Sequence, residues 1–456
     1  MYKPMTQREM DQYFHSAGDA AERKNSFVPE IYDKYNVKRG LRNDDGTGVL
    51  VGLTEIGDVH GYIIDESEKI PIEGKLFYRG IDVYDLVNGF IADNRFGFEE
   101  CACLLLFGEL PKRSQLENFK RVLGTMRKIP EDFVRANILN APSPDVMNKL
   151  ARLVLTMYAF DSKADDTSAP NLLRQSMDLI AKFPEMVAYG YQAKAHYLDG
   201  KSLYIHNPDP ELSTAENLLM LLRSSKEYTD LEARVLDLAL VLHAEHGGGN
   251  NSTFATHVIS STGTDIYSSI AAAVGSLKGP KHGGANNKVI GMMEELKREV
   301  NDWGSDTQIR DYLVRLLRKQ AFDRSGLIYG IGHAVYTLSD PRCVLLKGQA
   351  KKLAAQVNRT DEFELMERVE KLAPEVFREI RNIDKAMCAN VDFYSGFVYD
   401  MLSIPIELNT PIFAVSRIVG WCAHIIEEQI NGGKIIRPAY KCIKNRIPYS
   451  RLSDRG

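Results

Sequence analysis

The sequence contains no run of about 18 apolar residues, the length a helix needs to cross a bilayer. It has no CxxC pair. Its six cysteines stand at positions 101, 103, 343, 388, 422 and 442, and Cys101 and Cys103 are too close together for a zinc knuckle. Six scattered thiols in 456 residues argue against a disulfide framework and fit the reducing cytoplasm. An excess of one charge sign is also missing: 57 basic and 61 acidic residues leave a net charge of −4. Neither a nucleic acid nor an anionic membrane is therefore demanded as a partner. Residues 1–25 lack an apolar signal core, and their acidic residues argue against a transit peptide. Internal repeats and low-complexity segments are absent, and strand signals are few.

What is present is an ordinary globular balance, 44% apolar and 26% charged. The length predicts two or three domains, enough to bury a core without disulfides or metals. Residues 96–107 read as a helix closed by Gly108 and Pro111, and 144–160 continue in the same style. Ser213 and Glu216 have capping-box spacing ahead of the apolar run Leu218 to Leu222. Residues 231–243 are apolar on most faces, as a central buried helix requires. The stretch from Tyr267 to Leu277 is rich in small residues and predicts a tightly packed helix pair. Further helices are predicted at 286–300, 306–320, 343–357 and 361–382. The clearest strand runs from Thr54 to Ile64, with Leu76 to Tyr78 as its partner and Gly61 and Gly74 marking β-type patterning. The fold class is mainly α with a small N-terminal β element.

Three glycine-rich turns each hold a histidine. The first is His243-Ala244-Glu245-His246-Gly247-Gly248-Gly249, where glycines let the backbone turn sharply and approach a bound molecule. The second is Gly279-Pro280-Lys281-His282-Gly283-Gly284-Ala285-Asn286. His282 there lies just ahead of a predicted helix, whose N-terminus disfavours imidazolium and favours a neutral hydrogen-bond donor. The third is Gly330-Ile331-Gly332-His333-Ala334-Val335-Tyr336, followed by Asp340-Pro341-Arg342 and later by Asn390-Val391-Asp392-Phe393-Tyr394-Ser395-Gly396. A single histidine in a turn is more often a structural residue than a catalyst. His243 and His246 have a metal-compatible spacing, but no HExxH and no third ligand accompany them, so no metal is expected. The His246-Gly247-Gly248-Gly249 turn is like the oxyanion turn of some esterases, but the chain has no G-x-S-x-G nucleophile elbow.

Taken together, the set resembles citrate synthase, of the Si-type citrate synthase and 2-methylcitrate synthase family. The resemblance covers nearly the whole chain. Gly48 to Thr54, Leu76 to Asp82, Phe98 to Glu100, Leu104 to Pro111, and the GPKHGGAN, GIGHAVY…DPR and NVDFYSG segments occur in the family's order. The resemblance implies a two-domain helical fold: a large domain of residues 1–284 plus 400–456, and a small one of residues 285–399. It implies an acyltransferase that condenses acetyl-CoA with oxaloacetate and water, giving citrate and CoA in the tricarboxylic acid cycle. No permanent cofactor is implied, and acetyl-CoA is a co-substrate.

By the same resemblance, Asp392 is the base that removes a methyl proton of the thioester, and His282 donates to the thioester oxygen. His333 polarises the oxaloacetate carbonyl. His246, Arg342 and Arg417 bind the dianion, guanidinium forks being suited to carboxylates. Arg437 reaches the neighbouring subunit's site, which makes a homodimer the minimal unit. Ile331 and Gly332 are implied CoA contacts. Many members carry a basic residue where this chain has Ala334 or Thr337, which leaves Lys281, Arg324 and Lys347 as candidates for the CoA phosphates. Residues 1–45 have no family counterpart and read as a dimer contact or an extended arm. The rival readings are 2-methylcitrate synthesis from propionyl-CoA, citryl-CoA cleavage, and a non-catalytic paralogue. Intact His282, His333 and Asp392 argue against the last.

Overall fold

Among the described residues, 5–65, 68–382 and 386–455, the computed structural model is mainly helical. It divides into two units, Met1–Leu53 and Thr54–Gly456. In the first unit, the Gln7–Asn25 helix opens with a capping box: Thr6 accepts the Glu9 N–H, and the Glu9 carboxylate accepts the Thr6 N–H at 2.7 Å. None of its side chains is buried.

The second unit begins with an antiparallel sheet of three strands, β1 (Gly57–Asp65), β2 (Glu68–Tyr78) and β3 (Ile81–Asp82), in the order β1-β2-β3. The hairpin is where the sequence predicts it. β1 starts three residues later than predicted and β2 is longer. The register shifts between His60 and Tyr62, at Gly61. A Cβ at Gly61 would lie 2.5 Å from the Val335 carbonyl oxygen, and one at Gly74 would lie 2.2 Å from that of Ser339. The two glycines thus let the hairpin lie directly on the backbone of residues 335–339. The Gly74 N–H donates to Ser339 Oγ at 3.1 Å, and the Tyr336 hydroxyl donates to the Lys75 carbonyl at 3.4 Å.

The predicted helices occur at Phe98–Phe107, Val146–Met157, Thr214–Leu222, Asp230–His243, Ile266–Lys278, Ala285–Glu299, Asp306–Leu317, Pro341–Gln356 and Thr360–Arg381. Gly108, at φ 87°, closes the first of them in the left-handed conformation that glycine tolerates best. The Ser213–Glu216 capping box is formed. The small residues of Ile266–Lys278 bring that helix close against Asn251–Ser260 and Val146–Met157.

Two long helices escape the periodicity reading. One is Ala169–Tyr197, 29 residues with Pro184 inside, and the other is Asn409–Ile430, 22 residues. Both are buried over most of their circumference, so neither shows a polar stripe that would mark its limits. Asn409–Ile430 runs through the centre of the unit, packing on Ala169–Tyr197, Asn251–Ser260, Ile266–Lys278 and Asp230–His243. Arg417 and Trp421 on this helix are fully buried.

Candidate active site

The first histidine turn begins where Asp230–His243 ends. His246 stands three residues beyond, and Gly247 turns the chain at φ 82°. Glu245 holds this turn from behind. Its carboxylate accepts the Gly247 N–H at 2.5 Å and lies 3.2 Å from Nε2 of His424. Burial pushes the Glu245 carboxyl up, but His424, Arg417 and the Gly247 N–H together hold it below its ordinary value. There is room for it because Gly57 and Gly420 lack side chains: a Cβ on either would fall within 2.8 Å of Glu245 atoms.

His246 meets His333 edge to face with 5.2 Å between ring centroids, and His333 stacks on Tyr336 at 4.7 Å. The backbone N–H groups of Val335 and Tyr336 both donate to Nδ1 of His333, at 3.1 and 3.2 Å. A neutral imidazole that accepts at Nδ1 carries its proton on Nε2. His333 is therefore set as an Nε2–H donor by its own turn.

His282 lies three residues ahead of Ala285–Glu299, with Nε2 3.1 Å from Ser252 Oγ. Burial, reinforced by the charge of Arg417, pushes its pKa down to about 4, so the ring is neutral at pH 7. His246 is likewise held well below the ordinary histidine range, by burial first and then by Arg342, His333 and Arg417.

Arg342 is clamped by Asp340, which accepts from its Nε at 3.0 Å and its Nη2 at 2.7 Å. Both side chains are at most 5% exposed. Burial alone would lower the Arg342 pKa, but Asp340 more than offsets it and the guanidinium stays firmly charged. Asp340 also caps Pro341–Gln356 and accepts the Val391 N–H at 3.2 Å, tying that helix to the one bearing Asp392.

Arg417 is different. Its Nε donates to the His243 carbonyl at 2.6 Å, but Nη1 and Nη2 are buried without a hydrogen-bond partner among the described residues. Burial lowers its pKa to about 10, which still leaves it charged at neutral pH. A buried guanidinium with two bare nitrogens is costly unless an anion completes it. Arg342 and Arg417 are thus two buried, charged guanidinium groups in this site.

Asp392 is the second residue of Val391–Met401, and its N–H donates to the capping Asn390 Oδ1 at 3.0 Å. Burial raises the Asp392 carboxyl to about 6, against the pull of Arg342 and Arg417 and with a further push from Asp340. A carboxylate near 6 is a stronger base than a solvated one and is still ionised at pH 7. The loop of His333 is stapled to this helix. Ile331 bridges Ala389, the Gly332 N–H donates to the Cys388 carbonyl at 2.7 Å, and the Asn390 amide donates to the Gly332 carbonyl at 2.8 Å.

Arg342 and Arg417 thus bear on both His246 and Asp392, His246 meets His333, and Arg417 also bears on His282. Arg437 is exposed, beyond the end of Asn409–Ile430, with no ion pair within the chain among the described residues. Of the phosphate candidates, Lys347 pairs with Glu367 and Glu370 at 3.1 and 2.7 Å, while Lys281 and Arg324 are exposed. Ala334 is exposed, and Thr337 Oγ1 is buried without a partner among the described residues. Sequence reasoning missed Glu245, Ser252, Asp340 and Asn390 as parts of the site. Only the last two carried a signal, as capping residues ahead of helices.

A family profile described as "Citrate synthase, C-terminal domain" matches residues 45–439. The citrate synthase of Synechocystis sp. is 35% identical over 388 residues, 84% of this chain and 89% of that one. The 2-methylcitrate synthase of Shewanella oneidensis is 34% identical over 367 residues, 80% of this chain and 87% of that one. Among solved structures, the ternary complex of carboxymethyl coenzyme A and oxaloacetate with the citrate synthase of Thermoplasma acidophilum superposes with a TM-score of 0.74. It is 25% identical and covers 92% of this chain and 99% of that one. With the fold, the three histidine turns and the sequence in agreement over most of its length, the chain belongs to the citrate synthase family.

Proposed function

We propose that this enzyme condenses acetyl-CoA with oxaloacetate and water to give citrate and CoA, with His282, His333 and Asp392 carrying the chemistry. The observation that carries the reading is the pairing of an anion-hungry cation with a preset donor. Arg417 has two buried nitrogens with no partner among the described residues, and neutral His333 can donate only from Nε2. A keto dicarboxylate uses both, its carboxylates on Arg342, Arg417 and His246 and its carbonyl on His333. Asp392 then removes a methyl proton from the thioester while His282 donates to the forming enolate oxygen, so charge is stabilised where it develops. The new carbon–carbon bond gives citryl-CoA, and water cleaves its thioester.

The reading includes a small domain of residues 285–399 closing on the remainder, which excludes water before enolisation. It also includes a homodimer in which Arg437 completes the neighbouring site. Residues of the Ile331–Gly332 turn contact CoA, with Lys281 and Arg324 as the cations left for its phosphates. All six cysteines are unpaired, which fits a cytoplasmic enzyme. A second reading, 2-methylcitrate synthesis from propionyl-CoA, is favoured by the similarity to a 2-methylcitrate synthase. One methylene is worth only about 1–3 kcal/mol in a pocket, so the shared catalytic groups do not separate the two. Thiol release in the presence of oxaloacetate, compared between acetyl-CoA and propionyl-CoA and followed by product identification, tests both. Preference for acetyl-CoA with citrate as product supports the first reading. Preference for propionyl-CoA replaces it with the second, and no release with either overturns both.

A further inference from the structure

Asn286 is the second residue of Ala285–Glu299, four positions after His282, and its side chain is buried. Its Nδ2 donates to Ser395 Oγ at 2.5 Å. Ser395 is fully buried on Val391–Met401, one helical turn after Asp392. The Asn286 Oδ1 accepts from Asn409 Nδ2 at 3.0 Å, and that same nitrogen lies 2.9 Å from Asn287 Oδ1. Asn409 is the first residue of the helix that carries Arg417. Next along the chain, Thr410 Oγ1 donates to the Gly283 carbonyl at 3.0 Å, beside His282. The node exists because residue 396 is glycine: a Cβ there would lie 2.5 Å from Asn286 Oδ1. One amide therefore joins the segments that bear His282, Asp392 and Arg417. It does so at residues 286, 395 and 409, close to both proposed domain junctions.

An amide has a donor end and an acceptor end, and exchanging them here would set the Asn286 NH2 against that of Asn409 and lose that bond. The node adds directional hydrogen bonds to the packing and so ties the relative axial position of these helices. We propose that Asn286 is a positioning residue that sets the separation of His282 and Asp392 across the thioester. The proposal rests on the enolisation roles assigned to those two groups. It predicts that loosening the node damages proton abstraction and leaves the anion cradle intact, since none of its hydrogen bonds touches His246, His333, Arg342 or Arg417.

The test uses the full-length protein as Ser395→Ala, Asn286→Ala and the double variant. Three quantities are read: turnover with oxaloacetate, oxaloacetate Kd, and exchange of acetyl-CoA methyl protons with deuterated solvent. The exchange is measured beside a four-carbon dicarboxylate lacking the keto group, so that no condensation follows. The expected result is a fall of about 10–100-fold in turnover and exchange alike, the cost of a small misplacement of reacting groups. Oxaloacetate Kd stays unchanged, and the double variant is no worse than Asn286→Ala alone, because that substitution already removes the bond to Ser395. Circular dichroism confirms folding, and Asn409→Ala gives an independent break of the acceptor side if Ser395→Ala does not fold. Wild-type turnover and exchange in folded variants with only a lower Tm would make the node merely structural and overturn the proposal. Failure of the wild-type protein to release CoA overturns the functional reading and this inference with it.

Discussion

The hydroxyl of Ser252 lies 3.1 Å from Nε2 of His282, and it has a single proton to place. The same oxygen accepts the Trp421 indole N–H at 3.2 Å and lies 2.9 Å from Asn250 Oδ1. Turned toward His282, the proton makes Nε2 an acceptor and puts the imidazole proton on Nδ1, which has no hydrogen-bond partner among the described residues. Turned toward Asn250, it obliges His282 to donate from Nε2 and leaves no donor for a thioester oxygen. The proposed role of His282 therefore depends on Ser252. Ser252→Ala is expected to lower kcat by about 10–100-fold, in the range of a weakened oxyanion donor. Oxaloacetate affinity should stay near wild type. Steady-state kinetics with unimpaired kcat would remove Ser252 from the mechanism.

Asp392 gives the pH dependence its sign. With its carboxyl raised to about 6 by burial, it is neutral and idle below that pH and an ionised base above it. The kcat/KM profile for the acyl thioester should rise through about pH 6 and level off, since that ratio reports the free enzyme. Asp392→Asn should abolish this limb and cost at least about 10²-fold in turnover, with oxaloacetate binding retained. An unchanged acid limb in the variant would assign it to another group.

Arg417 should carry much of the dianion's binding energy, because its two terminal nitrogens have nothing else to bind among the described residues. Replacing it with Lys keeps the charge and loses the fork. The expected loss is about 1.5–3 kcal/mol per charged hydrogen bond, or roughly 10–150-fold in oxaloacetate Kd by calorimetry. A Lys variant that binds as tightly as wild type would show that charge alone suffices.

Asp340 and Arg342 form a pair in which neither group reaches solvent to any extent. Asp340→Asn keeps the shape and a cap oxygen but leaves the guanidinium uncompensated. Breaking such a buried pair costs about 3–5 kcal/mol, so chemical denaturation should show a clear loss of stability. The KM for oxaloacetate should rise as well, because Arg342 loses the clamp that aims it. Wild-type stability would mean that the pair contributes no more than a surface contact.

Arg437 is exposed and has no ion pair among the described residues, and the proposed function gives it a role in the neighbouring subunit's site. Inactive Arg437→Ala and inactive His282→Ala subunits, mixed and allowed to exchange, should regain activity in the hybrid. Demonstrated exchange without recovery would confine the site to one chain.

The residues proposed to carry the chemistry stood out in the sequence because their signals are local. Glycines beside His246, His282 and His333, and the NVDFYSG segment around Asp392, state a turn chemistry within a few residues of each histidine or carboxylate. Amphipathic helices and caps such as Ser213–Glu216 were legible for the same reason. The Ala169–Tyr197 and Asn409–Ile430 helices were not delimited, because burial on nearly all faces erases the period that marks a helix against solvent.

The sequence by itself determined the family, the helical class, and which histidines and carboxylate stand in special turns. The structure added the tautomer of His333, whose Nδ1 is satisfied by N–H groups only two and three residues away. Only the tertiary structure decided the rest. It left the Arg417 terminal nitrogens without a partner among the described residues, clamped Arg342 on Asp340 beside Val391, raised Asp392 to about 6, and set Ser252 against His282 and Asn286 against Ser395. The reason is range. Turn chemistry depends on neighbours in the chain. Desolvation and the pairing of buried polar groups depend on neighbours in space, which a sequence does not state until it folds.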